Sequence, residues 1–421
     1  MYKYTITFLA LTDTISFDVN SPKKETIEEF VQKLLLLFAR VDTENEKVIV
    51  ESFQQNNPEN RKKIDEFVDE FKEQLPPINA VSAYFRKLKE NEHFFFLPNL
   101  KFEQKENYKL YDYLRAIDDG VDFKEYEEQF EELFGNLFDK YHVKAVGPKR
   151  VLIGEKDKEK RVCRFCNNSN EPISFTNEAH AISEGLGNKT VILLEECDRC
   201  NDQFSKTIEP DIVQYLSLFR TFFDVKGKGG SKKFKGENFE LQNEGNVELK
   251  FYSIDDRPEE PSMPYKVKLE TKEPISLQNI YKSLCKFFLS VIDTEYVEEF
   301  SETINWINGD IEVSQLPKIG ELISYHGFTK QPKLVTYIRK NQDTNLPFAV
   351  GEFYFTCKIF VFILPLTKKD DKDFLSDTEY QKFWETFQHF KKTEGWAFMD
   401  FSSDKKRKLT LNLNFQKEKK E

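Results

Sequence analysis

The chain has 421 residues, of which 39% are hydrophobic and 32% are charged. This balance is typical of globular proteins, and at roughly 150 residues per domain the length predicts two or three domains. No apolar run approaches the ~20 residues of a membrane-spanning helix, and polar residues interrupt the start of the chain where a signal peptide would need an apolar stretch. We therefore expect a cytoplasmic protein that is neither secreted nor inserted in a membrane.

The net charge of −11 argues against a general nucleic-acid coat protein, but the charge is unevenly distributed. Residues 1–150 carry 22 basic and 29 acidic side chains, residues 151–236 carry 14 and 13, and residues 237–421 carry 26 and 31. Only the middle segment is not acidic, and it contains four of the six cysteines. Contact with a polyanion is expected there, whereas the acidic flanking regions are candidates for binding a protein partner.

The N-terminal region, residues 1–150, is predicted to be a mixed α+β domain. Alternating apolar residues indicate strands, and apolar residues at helical spacing indicate helices. The expected strands are 2–8, 15–19 and 47–53, and the expected helices are 27–38, 58–74, 78–91 and 108–141. Because this region shows no catalytic motif, it is expected to recognise a partner or to regulate.

The middle region, residues 151–236, is predicted to form a strand, a loop, a second strand and a helix. The first strand is expected at 173–182, a glycine-rich turn at 183–189, and a β-branched second strand at 190–194. The helix is expected to open at Cys200 and Asn201. The segment 226–236 has five lysines in eleven residues, a composition typical of a linker or hairpin loop and, less often, of a phosphate contact.

The C-terminal region, residues 237–421, is predicted to be a second mixed α+β domain. The expected helices are 277–291, 295–307 and 374–390. The expected strands are 246–254, 265–269, 321–325, 334–338, 348–355 and 358–366, with two more at the end of the chain.

Two CxxC pairs stand at the two ends of the middle motif, Cys163/Cys166 and Cys197/Cys200. A two-residue spacer lets one tight turn direct both thiolates at one ion, and four thiolates match the closed tetrahedral shell of structural Zn²⁺. A transient disulfide switch and an iron–sulfur site are the alternatives. The two remaining cysteines, Cys285 and Cys357, lie in apolar surroundings and are predicted to be small core residues.

Between and just after these pairs lie His180, near the end of the first strand, and Asn201, in the first turn of the helix. The four cysteines, the histidine and the asparagine, in this order over about 60 residues from Cys163 to Phe223, resemble the HNH endonucleases of the ββα-metal (His-Me finger) superfamily. The segment from Phe204 to Glu209, F-x-x-x-I-E, is also similar to bacterial members. The resemblance implies an α+β, multidomain chain with a central zinc-stapled ββα-metal module flanked by mixed α/β regions.

The same resemblance implies hydrolysis of phosphodiester bonds in DNA. His180 would be the general base, since an imidazole with a pKa near ~6.5 accepts a proton at neutral pH. Asn201 would help bind a catalytic Mg²⁺ or Mn²⁺, and Zn²⁺ would be purely structural. One small nuclease module in a large chain is typical of prokaryotic antiviral defence or mobile elements.

One position departs from the family pattern, because Ala179 stands where many members have a metal-binding Asp or His before the base. Glu178, Glu184 and Glu209 are the candidates for the missing ligand. Glu209 is favoured because it follows Asn201 by eight residues on the same helical run, about two turns, whereas Glu178 would face the other side of a regular strand.

Less specific interpretations stay open at this stage. His180 could be a hydrogen-bonded structural residue, Asn201 a helix cap, and Glu209 an ordinary surface acid. Ala179 favours a second function, a zinc-stapled module that binds nucleic acid or a partner without catalysis. A third is a nuclease directed at RNA.

Overall fold

The computed structural model of the chain describes residues 2–42, 47–98, 104–169, 173–227, 233–252, 265–325 and 328–415. Their fold is mixed α/β with several sheets, which confirms the predicted class at that level. The chain forms two compact units, Met1–Phe138 and Asp139–Glu421, whereas the sequence suggested divisions near residues 150 and 236. Within these described ranges, no helix is long and apolar enough to cross a bilayer.

The first unit is built on a four-stranded antiparallel sheet in the order β2-β1-β6-β5, with β3 and β4 pairing separately. Phe8 lies opposite Ile15 on one side and Phe96 on the other, so alternate residues of β1 face a core rich in phenylalanine. The strands are β1 (Tyr2–Ala10), β2 (Thr14–Ser21), β3 (Ala39–Asp42), β4 (Lys47–Val50), β5 (Phe53–Gln55) and β6 (His93–Pro98). The helices are α1 (Lys24–Leu37), α2 (Pro58–Phe71), α3 (Asn79–Lys87), α4 (Gln104–Asp119) and α5 (Phe123–Phe130), and α6 (Asn136–Lys140) crosses the boundary between the two units.

The second unit contains the cysteine-rich segment and everything after it. Its strands are β7 (Tyr141–Val146), β8 (Val151–Ile153), β9 (Ala179–His180), β10 (Val191–Leu193), β11 (Phe234–Lys235), β12 (Phe239–Asn243), β13 (Val247–Phe251), β14 (Tyr265–Glu270), β15 (Ile319–Ile323), β16 (Thr329–Arg339), β17 (Ala349–Thr356), β18 (Lys358–Ile363), β19 (Ala397–Met399) and β20 (Thr410–Phe415). Its helices are α7 (Asp198–Thr207), α8 (Glu209–Tyr215), α9 (Ser217–Phe222), α10 (Leu277–Val291), α11 (Ser301–Asn308), α12 (Asp377–Thr386) and α13 (Gln388–Lys391).

A six-stranded antiparallel sheet in the order β19-β15-β18-β17-β16-β7 spans this unit, and a small sheet in the order β8-β10-β9 carries the histidine strand. Two further small sheets are β11-β12-β13 and β14-β20. Of the predicted basic segment 226–236, residues 228–232 lie outside the described chain, and residues 234–235 form β11.

The helix α10 occupies the centre of the second unit. Thirteen of its fifteen residues are buried, including polar ones such as Lys286, so neighbouring elements cover the helix on nearly every side. The Ser276 side chain caps its start by accepting a hydrogen bond from the Asn279 amide at 3.2 Å. The core around α10 includes Phe165 and Phe204 of the cysteine-rich segment, so that segment and the C-terminal region share one hydrophobic core.

Candidate functional site

The first strand of the middle motif is much shorter than predicted. The expectation of a strand over 173–182 is wrong in extent, because only Ala179–His180 pair with β10. The preceding main chain is engaged by the Asp198 side chain, which accepts hydrogen bonds from the amides of Thr176 at 3.1 Å and Asn177 at 2.9 Å. Although burial raises the pKa of Asp198, hydrogen bonds from Ser174, Thr176 and Asn177 outweigh it and lower that pKa to about 2. The Asp198 carboxylate therefore connects the segment that precedes β9 to the first turn of α7.

The loop between β9 and β10 is held by Asn188, which is 2% exposed. Its amide nitrogen donates to the carbonyls of Ile182 at 2.8 Å and Val191 at 3.0 Å, and its Oδ1 accepts from the Val191 amide at 3.0 Å. Gly187 ends the short turn Glu184–Leu186 with φ +87°, a conformation that favours glycine. The loop after His180 is thus a defined structure.

The four predicted zinc ligands come together. One thiol sulfur from each of Cys163, Cys166, Cys197 and Cys200 lies within 4.8 Å of the others, and the Sγ atoms of Cys166 and Cys197 are 3.8 Å apart. That distance is the edge of a tetrahedron whose metal–sulfur bonds are about 2.3 Å, the usual length for zinc. The cluster is therefore compatible with a structural zinc site.

The proximity and burial of the thiols shift their pKa values. A hydrogen bond from Cys200 is the largest influence lowering the pKa of Cys163 to about 5, while the pKa of Cys200 itself is raised. Burial raises the pKa of Cys197 to about 11. Four thiolates at this spacing repel one another, and a divalent ion is the group that lets all four ionise together.

Cys285 and Cys357 are 0% and 2% exposed, which confirms that they are core residues.

A buried ion pair fixes the first cysteine turn to α10. The Arg164 guanidinium donates to Glu195 Oε2 at 2.8 Å and to the carbonyls of Leu289 and Ile292 at 2.9 and 2.8 Å. Its remaining nitrogen donates to the Thr294 hydroxyl at 2.9 Å. The side chains of Arg164 and Glu195 are 2% and 7% exposed, so the pair is buried, and each guanidinium nitrogen donates at least one hydrogen bond.

His180 ends β9 opposite Ile192 of β10, the strand that leads into the second cysteine pair. Its side chain is 21% exposed, and its Nε2 lies 3.9 Å from Glu184 Oε2. Its Nδ1 is buried without a hydrogen-bond partner among the described residues. Burial lowers the pKa of His180 against the opposing pull of Glu184 and Glu178, so the neutral imidazole is favoured.

Beside His180 lies a buried charged group that connects three parts of the motif. The Lys286 ammonium of α10 is 3.0 Å from Glu196 Oε2, 3.2 Å from Glu209 Oε1 and 3.1 Å from the main-chain oxygen of His180. The side chains of Lys286 and Glu196 are fully buried, and that of Glu209 is 13% exposed. Burial is the main cause that raises the pKa of Glu196 to about 7.

The remaining predicted ligands have different surroundings. Asn201 is partly buried in α7 and does not cap that helix, whose first capping position is Cys197 and which begins two residues earlier than predicted. No hydrogen bond to its side chain is found within the described residues. Glu178 is 61% exposed and pairs with Arg150 at 2.8 Å. Glu184 lies beside His180, and Glu209 contacts the lysine that binds the His180 carbonyl. Glu209 begins α8, whereas Asn201 belongs to α7.

Sequence reasoning missed Lys286, Glu196 and the Arg164–Glu195 pair. The sequence contains an indication of the two acids, because Glu195 and Glu196 directly follow the apolar segment 191–194 and precede Cys197. Lys286 offers a weaker signal, a single lysine among apolar residues in the sequence LCKFFL.

Comparison with known proteins returned no matching family model, no matching curated protein and no matching solved structure.

Proposed function

We propose that this chain is a metal-dependent endonuclease of the HNH type that hydrolyses phosphodiester bonds in DNA. One observation carries the proposal: a partly exposed, neutral histidine stands at the end of a strand whose partner leads into a four-cysteine cluster, with carboxylates of Glu184 and Glu209 nearby. In this proposal Zn²⁺ occupies the cysteine cluster and holds the hairpin and α7 together.

The chemistry follows from the geometry of His180. The neutral imidazole takes a proton from water, the hydroxide oxygen forms a bond to phosphorus, and the bond from phosphorus to the leaving 3′ oxygen breaks. The Nε2 atom, which faces the partly exposed Glu184, receives the proton. Glu184 then stabilises the imidazolium that forms.

The oxygens of Asn201 and Glu209 are the groups proposed to hold Mg²⁺ or Mn²⁺, which would compensate the charge on the leaving oxygen. Glu209 Oε1 already pairs with Lys286, so Oε2 is the oxygen proposed for the ion. Glu178 is the weaker candidate, since it is paired with Arg150 at the surface.

A second function is favoured by Ala179, which is 1% exposed and cannot act as a ligand. In that alternative the module binds nucleic acid without cutting it. Incubating the zinc-loaded chain with supercoiled plasmid, single-stranded DNA and RNA, each with Mg²⁺, Mn²⁺ or EDTA, separates the possibilities. The proposal expects nicked or linear plasmid only with the divalent ion. Retarded but intact DNA under every condition would favour binding alone, and cleavage confined to RNA would change the substrate.

A further inference from the structure

The Lys286 ammonium contacts three separate segments of the cysteine-rich motif. Its three oxygen partners lie at 3.0–3.2 Å and belong to Glu196 before the second cysteine pair, Glu209 at the start of α8, and the main chain of His180. The ammonium donates a hydrogen bond to the His180 carbonyl oxygen and forms ion pairs with the two carboxylates. Lys286 is itself outside the motif, in the middle of α10.

The charge balance explains why a lysine is tolerated at a fully buried position. The carboxylates of Glu196 and Glu209 lie 3.0 and 3.2 Å from the buried ammonium. The ammonium therefore stays charged and balances one of the two acids. Glu209 reaches solvent with 13% of its side chain, whereas Glu196 is fully buried.

The strand that carries His180 is short, and side chains hold the main chain on both sides of it: Asp198 accepts from the Asn177 amide, and Asn188 donates to the Ile182 carbonyl. Only two residue pairs join β9 to β10, and the chain on both sides of β9 is not in a strand. A ladder this short fixes the main chain weakly. By contrast, α10 is a fifteen-residue helix at the centre of the core. The bond from Lys286 to the His180 carbonyl connects the short strand to this rigid element.

We propose that Lys286 is a positioning residue, which holds the His180 main chain and the Glu209 carboxylate in the geometry that the reaction needs. This role rests on the proposed nuclease function. It implies that the catalytic geometry is completed from residues 277–291, outside the 60-residue motif. An error of 1 Å in such a geometry can lower a rate by about 10²-fold.

The test separates positioning from simple charge balance with three variants of the full chain. Lys286→Met removes the ammonium and leaves two buried acids. The double variant Lys286→Met with Glu196→Gln removes one of those acids and so restores the local charge. Lys358→Met is the matched control, because Lys358 is also a buried lysine, paired with Glu321 at 2.8 Å, and does not contact His180. Zinc content, melting temperature, kcat and KM are measured for each.

The expected result is a loss of kcat of about 10²-fold in Lys286→Met, with KM changed by less than about 3-fold and zinc retained. The double variant should regain melting temperature but not kcat, since the His180 carbonyl stays unsupported. The Lys358→Met control should lose melting temperature and keep kcat. Recovery of both properties in the double variant, or an equal loss of kcat in the control, would show that Lys286 only balances charge.

A measurement that does not depend on nuclease activity keeps the test of Lys286 separate from the nuclease proposal. The imidazole signals of His180 in ¹H–¹⁵N NMR spectra, assigned with His180→Ala, report the position of the ring in the zinc-loaded chain. They should shift in both Lys286 variants and stay unchanged in Lys358→Met. If the parent chain cuts no nucleic acid, unchanged His180 signals in the Lys286 variants overturn the positioning role, and shifted signals support it while the nuclease function alone fails.

Discussion

Replacing Arg164 with leucine should destabilise the second unit more than any surface substitution. The change leaves the Glu195 carboxylate, 7% exposed, without its charged partner and leaves the carbonyls of Leu289 and Ile292 without their donor. Removing one member of a buried ion pair costs about 3–5 kcal/mol. A unit of this size loses roughly 2 °C in melting temperature per kcal/mol, so a decrease of about 6–10 °C is expected.

Differential scanning calorimetry of the full, zinc-loaded chain measures this change. Lys144→Met provides the control, because Lys144 pairs with Asp293 at 2.6 Å but is 36% exposed, and such pairs contribute at most about 1 kcal/mol. Adding Glu195→Gln to Arg164→Leu should recover part of the loss, since the unpaired buried charge disappears. If Arg164→Leu lowers the melting temperature no more than Lys144→Met does, then the ion pair does not anchor the cysteine turn to α10.

Three further predictions concern the metals and the base. Cys200→Ser should lose the single zinc expected per chain by atomic absorption and unfold the cysteine-rich motif; full zinc retention would contradict the four-thiolate site. Glu209→Gln should raise the Mg²⁺ concentration needed for cleavage, and Ala179→Asp should lower it. Metal titrations of cleavage test both variants. If Glu209→Gln needs the same Mg²⁺ concentration as the parent, Glu209 is not a ligand. Burial lowers the pKa of His180, so the acid limb of kcat/KM against pH should lie below the ordinary pKa of about 6.5. The free energy of unfolding that depends on the neutral ring should decrease as the pH falls below that value. An acid limb above pH 7 would contradict this prediction.

The elements that the sequence predicted well are those with a strong local pattern. The apolar spacing of residues 277–291 predicted α10 with the bounds that the structure shows, and the two CxxC spacings predicted the four-cysteine cluster. The prediction that His180 lies near the end of a strand is confirmed, although the predicted strand ran to residue 182 and β9 ends at His180.

What the sequence could not provide depends on contacts between distant residues. The strand predicted at 173–182 is shorter in the structure. Residues 174–177 form hydrogen bonds with the Asp198 side chain instead of with a neighbouring strand. The parallel pairing of β8 with β10 has no local signal. The burial of Lys286 could not be predicted, because a lysine in a helix is usually solvated. Only the folded chain shows that Glu196 and Glu209 pair with it.

The measurement that tests the central claim most directly is the rate of Mg²⁺-dependent plasmid cleavage by His180→Ala at a zinc content equal to that of the parent. The matched control is His142→Ala, because His142 is an exposed histidine on β7 of the same unit. His180→Ala should cut at least ~10²-fold more slowly, as expected for removal of a general base, while His142→Ala cuts at the parental rate. Parental cleavage by His180→Ala would show that the active site lies elsewhere in the chain.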